Sequence, residues 1–186
     1  MKKRVLASVF LLANGVAAIS ACAADGTITL TGEITGTTCS IGGGTGAAPS
    51  THPDFSVPLS KVQASALKAP GQTAGAKPFF IHVGACPQDT VVAVLYESSS
   101  PAINPATGNL RNLAPAKPKP ADHVEVQIVD GATNQPMDLR LGANSTSAKI
   151  PASGEATLPF TAQYFATGAA TAGPVSTQVL YSVTFL

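Results

Sequence analysis

Thr27-Ile28-Thr29-Leu30-Thr31-Gly32-Glu33-Ile34 alternates without a break. Ile28, Leu30, Gly32 and Ile34 fall on one face, with Thr27, Thr29, Thr31 and Glu33 on the other, which is the two-residue period of a β-strand. The same period returns near the other end, with Val179, Tyr181, Val183 and Phe185 opposite Leu180, Ser182 and Thr184. A strand so placed is expected to be an edge or to need a partner. Between these two lie strand candidates at 38–41, 55–59, 78–84, 91–96, 124–129, 137–141 and 156–166. Gly- and Pro-rich breaks at 42–46, 70–75, 98–120, 131–136 and 168–174 separate them. The stretch 101–120 is the longest loop and is expected on the surface, and only Lys61–Lys68 suits a short helix. Eight or nine short strands predict an all-β antiparallel sandwich.

The first residues read as an export signal. Lys2, Lys3 and Arg4 precede a mostly apolar run from Val5 to Ala18, and small residues cluster at Ala21-Cys22-Ala23-Ala24. The expected organisation is a signal peptide over 1–23, cut after Ala23 or Ala24, an N-terminal extension over 24–36, and one domain over 37–186. Removing the signal takes three of the eleven Lys and Arg and none of the ten Asp and Glu, leaving eight against ten, a net charge of −2. No basic block remains, so nucleic acid is not an expected partner. Charged residues make up only 11% of the chain, so Thr, Ser, Asn and Gln must supply the polar surface. Cys22 leaves with the signal, and Cys39 and Cys86 remain as the pair expected to form a disulfide in an oxidising compartment. A rival reading of Ile19-Ser20-Ala21-Cys22 is a lipoprotein signal, with Cys22 lipidated as the first mature residue.

Chemistry-bearing patterns are missing. His52, His82 and His123 are scattered, with no His or Cys spacing suited to a metal, and there is no nucleophile elbow or phosphate loop. Gly42-Gly43-Gly44 reads as a flexible turn. His82, between Ile81 and Val83, is expected to be a solvated histidine on the outer face of its strand. The acidic residues form no paired-carboxylate site. Neither catalytic residues nor a cofactor nor a metal is expected.

Four segments, in order, resemble the chaperone–usher pilin family. Gly26 to Ile41, running through the alternating strand into Cys39, is similar to that family's N-terminal extension and first cysteine. Asp54-Phe55-Ser56-Val57-Pro58-Leu59-Ser60-Lys61-Val62, then Gly71, Gly75 and Pro78 to Cys86, resembles its middle pattern. Val124 to Asp130 resembles a later core strand, and Ala162 to Gly168 with Thr171 to Val175 its C-terminal signature. The resemblance implies an incomplete immunoglobulin-like β-sandwich, lacking its last strand and completed by donor-strand exchange, a mode of β-augmentation for which pilins are a standard example. It implies Ile28, Leu30, Gly32 and Ile34 as the donor face, and Val179, Tyr181, Val183 and Phe185 as the strand edging the groove and meeting the chaperone. The implied partners are other copies or homologous pilins, a periplasmic chaperone, an outer-membrane usher and a host receptor. The implied location is a fimbrium on the cell surface, reached through the periplasm. One departure is Phe185, which stands where the family commonly has a penultimate tyrosine. A fimbrial shaft subunit is the first expectation, and a minor or adaptor subunit or a receptor-binding module the second.

Overall fold

The structure, a computed structural model, describes residues 39–46, 48 and 51–186. The expected signal, Cys22 and the donor face at Ile28, Leu30, Gly32 and Ile34 lie outside the described residues. Among the described residues two antiparallel sheets form. The larger joins β1 (Ser40–Gly44), β2 (Thr73–Gly84), β8 (Ala156–Ala166), β5 (Val124–Asp130) and β4 (Leu110–Arg111) in that order, with β6 (Gln135–Pro136) also on β5. The smaller has the order β7 (Ala148–Lys149), β3 (Val91–Tyr96), β9 (Tyr181–Phe185).

Alternation dictates the core. Phe79, Ile81 and Val83 of β2 point inward and meet Phe160 and Leu158 of β8, in the register Phe79↔Phe160 and Ile81↔Leu158. Val126 and Ile128 of β5 join them, facing Val92, Val94 and Tyr96 of β3. The rings of Phe79 and Phe160 stack at 5.4 Å, and Tyr96 meets Phe160 edge-on at 5.6 Å. Full burial of each large apolar side chain stabilises the fold by about 1.5–3 kcal/mol.

Several local expectations need correction. Gly42–Gly44 is not a flexible turn but part of β1, paired with His82 to Phe80 of β2. Gly43 has no room for a side chain: a Cβ there would lie 2.2 Å from the Phe55 ring. β2 starts at Thr73, inside an expected break, with a register shift between Ala74 and Lys77. Residues 55–59 form no ladder. The strand expected at 137–141 is a 3-10 turn over Leu139–Leu141, because the Asp138 carboxylate caps it by accepting from the Arg140 amide at 3.1 Å. The helix expected at 61–68 shrinks to Ala64–Ala66.

His82 is not solvated. It is 4% exposed, with Nδ1 3.0 Å from Thr157 Oγ1 and Nε2 3.3 Å from the Gly46 carbonyl. The chain leaving β1 covers the outer face on which the histidine sits. The stretch 101–120 is likewise not a simple surface loop. It carries β4, buries Ala102, Ile103 and Leu110, and lays Asn104, Thr107 and Asn109 over the outer face of β5. Glu125 accepts hydrogen bonds there from Asn104 Nδ2, Thr107 Oγ1 (2.7 Å) and Asn109 Nδ2 (3.2 Å), and Gln163 donates to Gln127 at 2.9 Å. β5 is therefore buried on both faces. Asp130 ends that strand. Burial by itself would raise its pKa, but the amides of Thr146, Ala132 and Thr133 donate to the carboxylate and hold it below the ordinary range.

Cys39 and Cys86 form a disulfide, with Cα atoms 4.8 Å apart, that ties the entry of β1 to the exit of β2.

Candidate functional site

A groove of about 880 Å³ runs along one side of the sandwich. Its floor is the inner face of the core, with Phe79, Ile81, Tyr96, Val126, Ile128, Ala162 and Tyr164. One wall is the segment 53–59. There the alternation of half-buried Phe55, Val57 and Leu59 with exposed Ser56 and Pro58 turns every second side chain onto the core. The opposite wall is 175–183, where Val175, Val179, Tyr181 and Val183 pack inward.

Both walls have spare backbone. No backbone N–H or C=O from Phe55 to Leu59 is hydrogen-bonded to another described residue. β9 pairs with β3 on one side only, in the register Val94↔Val183 and Tyr96↔Tyr181, so its other edge has no ladder partner among the described residues. Unpaired backbone is obligate hydrogen-bonding surface, and a strand edge is a template for another strand. An apolar floor between two such edges accepts an extended segment that presents side chains on one face and backbone groups to either side.

The sequence-derived edge residues separate in the structure. Val179, Tyr181 and Val183 are half-buried on the wall, although β9 begins only at Tyr181. Phe185 lies in the same strand, paired with Val92, but is 54% exposed and does not line the groove. The opposite wall was readable as alternation at Phe55, Val57 and Leu59, yet nothing in that period says whether a strand finds its partner inside the chain.

Tyr181 also spans the groove. Its hydroxyl donates to the Pro53 carbonyl at 2.7 Å, and its ring meets that of Phe55 edge-on at 6.0 Å. Burial, and then the charge of Asp54, push its pKa upward. Deeper in the groove the Tyr96 hydroxyl is buried with no hydrogen-bond partner, and burial followed by the charges of Asp130 and Tyr181 raises its pKa strongly. Thr177 Oγ1 on the wall is buried and unpartnered as well. Among the described residues no group of three His, Cys, Asp or Glu side chains could hold a metal ion.

A sandwich with an apolar groove between two unpaired edges leaves room for pairing with an added strand. Residues 59–186 match the type-1 fimbrial protein A family, and the chain belongs to that family. It is 34% identical to the major fimbrial subunit SMF-1 of Stenotrophomonas maltophilia, over 91% of this chain and 97% of that one. It is 30% identical to the type-1 fimbrial protein A chain of Escherichia coli K12 over the full length of both. The crystal structure of the P pilus rod subunit superposes with a TM-score of 0.57, covering 80% of this chain and 99% of that one at 16% identity. That last likeness concerns the fold alone, which is the immunoglobulin-like pilin sandwich. The protein is accordingly a structural subunit of a fimbrium, exported to the cell surface, in a family of structural proteins rather than enzymes.

Proposed function

We propose that the groove receives residues 27–34 of a second copy or a homologous pilin, and that the fibre grows by repeating this joint. The observation that carries the reading is the groove itself, with unpaired backbone on both walls over an apolar floor. Ile28, Leu30 and Ile34 would enter it, each contributing about 1.5–3 kcal/mol on full burial. Gly32 would lie where no side chain fits. Backbone pairing adds about 0.5–1.5 kcal/mol net per hydrogen bond, so the joint rivals the stability of a typical domain. Cys39 and Cys86, the disulfide partners, hold β1 beside the Phe55 wall.

On this reading residues 1–23 are removed on export and residues 24–36 form the donor extension. A periplasmic chaperone occupies the groove first, with its strand beside Val179, Tyr181, Val183 and Phe185, and an outer-membrane usher oversees the exchange. The subunit itself is not an enzyme. It takes the shaft position, in keeping with its similarity to major fimbrial subunits.

Deletion of residues 27–34 tests this. The expected outcome is a subunit that folds and is exported but gives no fibres by electron microscopy and no ladder of multimers on an unheated SDS gel. Normal fibres from the deletion strain would refute strand donation by this segment.

A further inference from the structure

A second cavity, of about 390 Å³, opens where β5 ends. Asp130 and Tyr96 form its inner part, 7% and 3% exposed. Met137, Leu139 and Leu141 give it an apolar side that runs out to the surface, where Leu141 is 72% exposed. Local pattern explains the meeting of the two inner groups. Asp130 continues the inward alternation of Val126 and Ile128 and stands opposite Phe160 in the β5–β8 ladder. The Tyr96 ring meets that same Phe160 edge-on at 5.6 Å. Tyr96 therefore stands between the groove and this cavity and borders both.

Both inner groups have bonding capacity to spare. The Asp130 carboxylate accepts from the amides of Ala132, Thr133 and Thr146, all neutral donors. None of the ion pairs among the described residues includes it. A buried carboxylate without a cation is costly, and a cation that reaches it offsets that cost. The Tyr96 hydroxyl is shielded from solvent with no partner, and its oxygen can accept. Two acceptors, one of them fully charged, beside an apolar side complement a positive head on a hydrocarbon stem. A divalent metal asks for more ligands, and among the described residues no group of three His, Cys, Asp or Glu side chains could hold one. An ammonium brings one charge and three N–H donors.

We propose that this cavity binds a primary alkylammonium group. The ammonium donates to the Asp130 carboxylate and the Tyr96 oxygen, and the stem lies against Met137, Leu139 and Leu141. Lysine stems bury along apolar surface in the same way. A free amine and a lysine side chain of a second copy offer this same chemistry. The cavity is separate from the strand-accepting groove, and its binding does not depend on strand donation.

Purified fibres, incubated with radiolabelled pentylamine and pelleted, measure binding by a free amine. Saturable binding of one amine per subunit is expected, at least about tenfold tighter than that of 1-pentanol, which keeps the stem and lacks the charge. Asp130→Asn is expected to weaken it by about tenfold or more, and Tyr96→Phe by about three- to tenfold. Thermal melts show whether each variant folds. Asp130 serves three amides, so if its variant fails to fold Tyr96→Phe carries the test, because it removes no bond made among the described residues. Acetylation of the same fibres, read lysine by lysine by mass spectrometry, tests the second source. Pentylamine binding that either variant weakens assigns the site to a free amine. Absence of pentylamine binding, with one lysine protected in wild-type fibres and reactive in the fibres of either variant, assigns it to a second copy. Neither result, or binding that both folded variants leave unchanged, overturns the proposal. Pentanol binding as tightly as pentylamine makes the cavity merely apolar and overturns it as well.

Discussion

Ala162→Leu is expected to give a folded subunit that no longer forms SDS-resistant multimers. Ala162 sits on β8 between Phe160 and Tyr164, opposite Ile128 of β5, and lines the groove floor. It is among the smallest side chains there, and its size leaves the groove its depth at that point. Leucine fills space that an incoming side chain would occupy. The joint then loses the burial of that side chain, about 1.5–3 kcal/mol, and meets overpacking of about 1–3 kcal/mol. Together these speed dissociation of the joint by about a hundredfold or more, since about 1.4 kcal/mol is a factor of ten. Ala162 is itself only 4% exposed, so the unassembled domain also bears overpacking of about 1–3 kcal/mol, which a thermal melt reads separately. Thermal melts and unheated gels on the same preparation separate the two effects. Multimers as resistant as wild type would mean that the floor at Ala162 is not where a strand lies.

The second large effect is expected from Cys39→Ala/Cys86→Ala. The bond spans 47 residues of chain, and opening a loop of that length costs about 4 kcal/mol in the chain-entropy treatment. For a domain of this size the loss corresponds to a fall of roughly 8–16 °C in Tm. The location makes the effect functional as well as global. β1 is Ser40-Ile41-Gly42-Gly43-Gly44, with little side chain to anchor it, and glycines carry a large ordering entropy. The disulfide fixes the start of this strand beside β2, and Gly43 gives the Phe55 ring its seat. Without the bond, Phe55 loses its backing and the groove loses definition on that side. Calorimetry on the oxidised wild type and the double variant measures the first effect, and multimer yield the second. A Tm difference under 3 °C would show that β1 holds itself in place.

How much of this was legible in the sequence depended on whether periodicity had a single meaning. β3 at 91–96 and β8 at 156–166 match their predicted bounds because apolar runs and alternation bounded by turn residues leave little choice. The glycine run 42–44 misled, since Gly43 is small to make room for Phe55, a contact between segments that no local pattern reports. Nothing local to Glu125 and Gln127 signals that they are buried. They are buried because a distant loop supplies Asn104, Thr107 and Asn109 as partners. His82 escaped for the same reason. The groove was partly legible: 55–59 read as a strand and the family resemblance implied 179–185 as a groove edge, but only the three-dimensional arrangement shows that 53–59 and 175–183 flank one floor without pairing to each other. The hydroxyl bridge from Tyr181 to Pro53 left no trace in the sequence, because its acceptor is a backbone carbonyl 128 positions away.

The most direct test of strand donation is isotope-resolved cross-linking within assembled fibres. Fibres grown from an equal mixture of ¹⁴N and ¹⁵N chains, with photo-leucine at position 30, are irradiated and digested. The account predicts cross-links from residues 27–34 of one chain to residues 53–59 or 175–183 of another, with mixed light–heavy pairs as frequent as random mixing allows. Cross-links confined to pairs of the same isotope, joining residue 30 to the groove of its own chain, would contradict it.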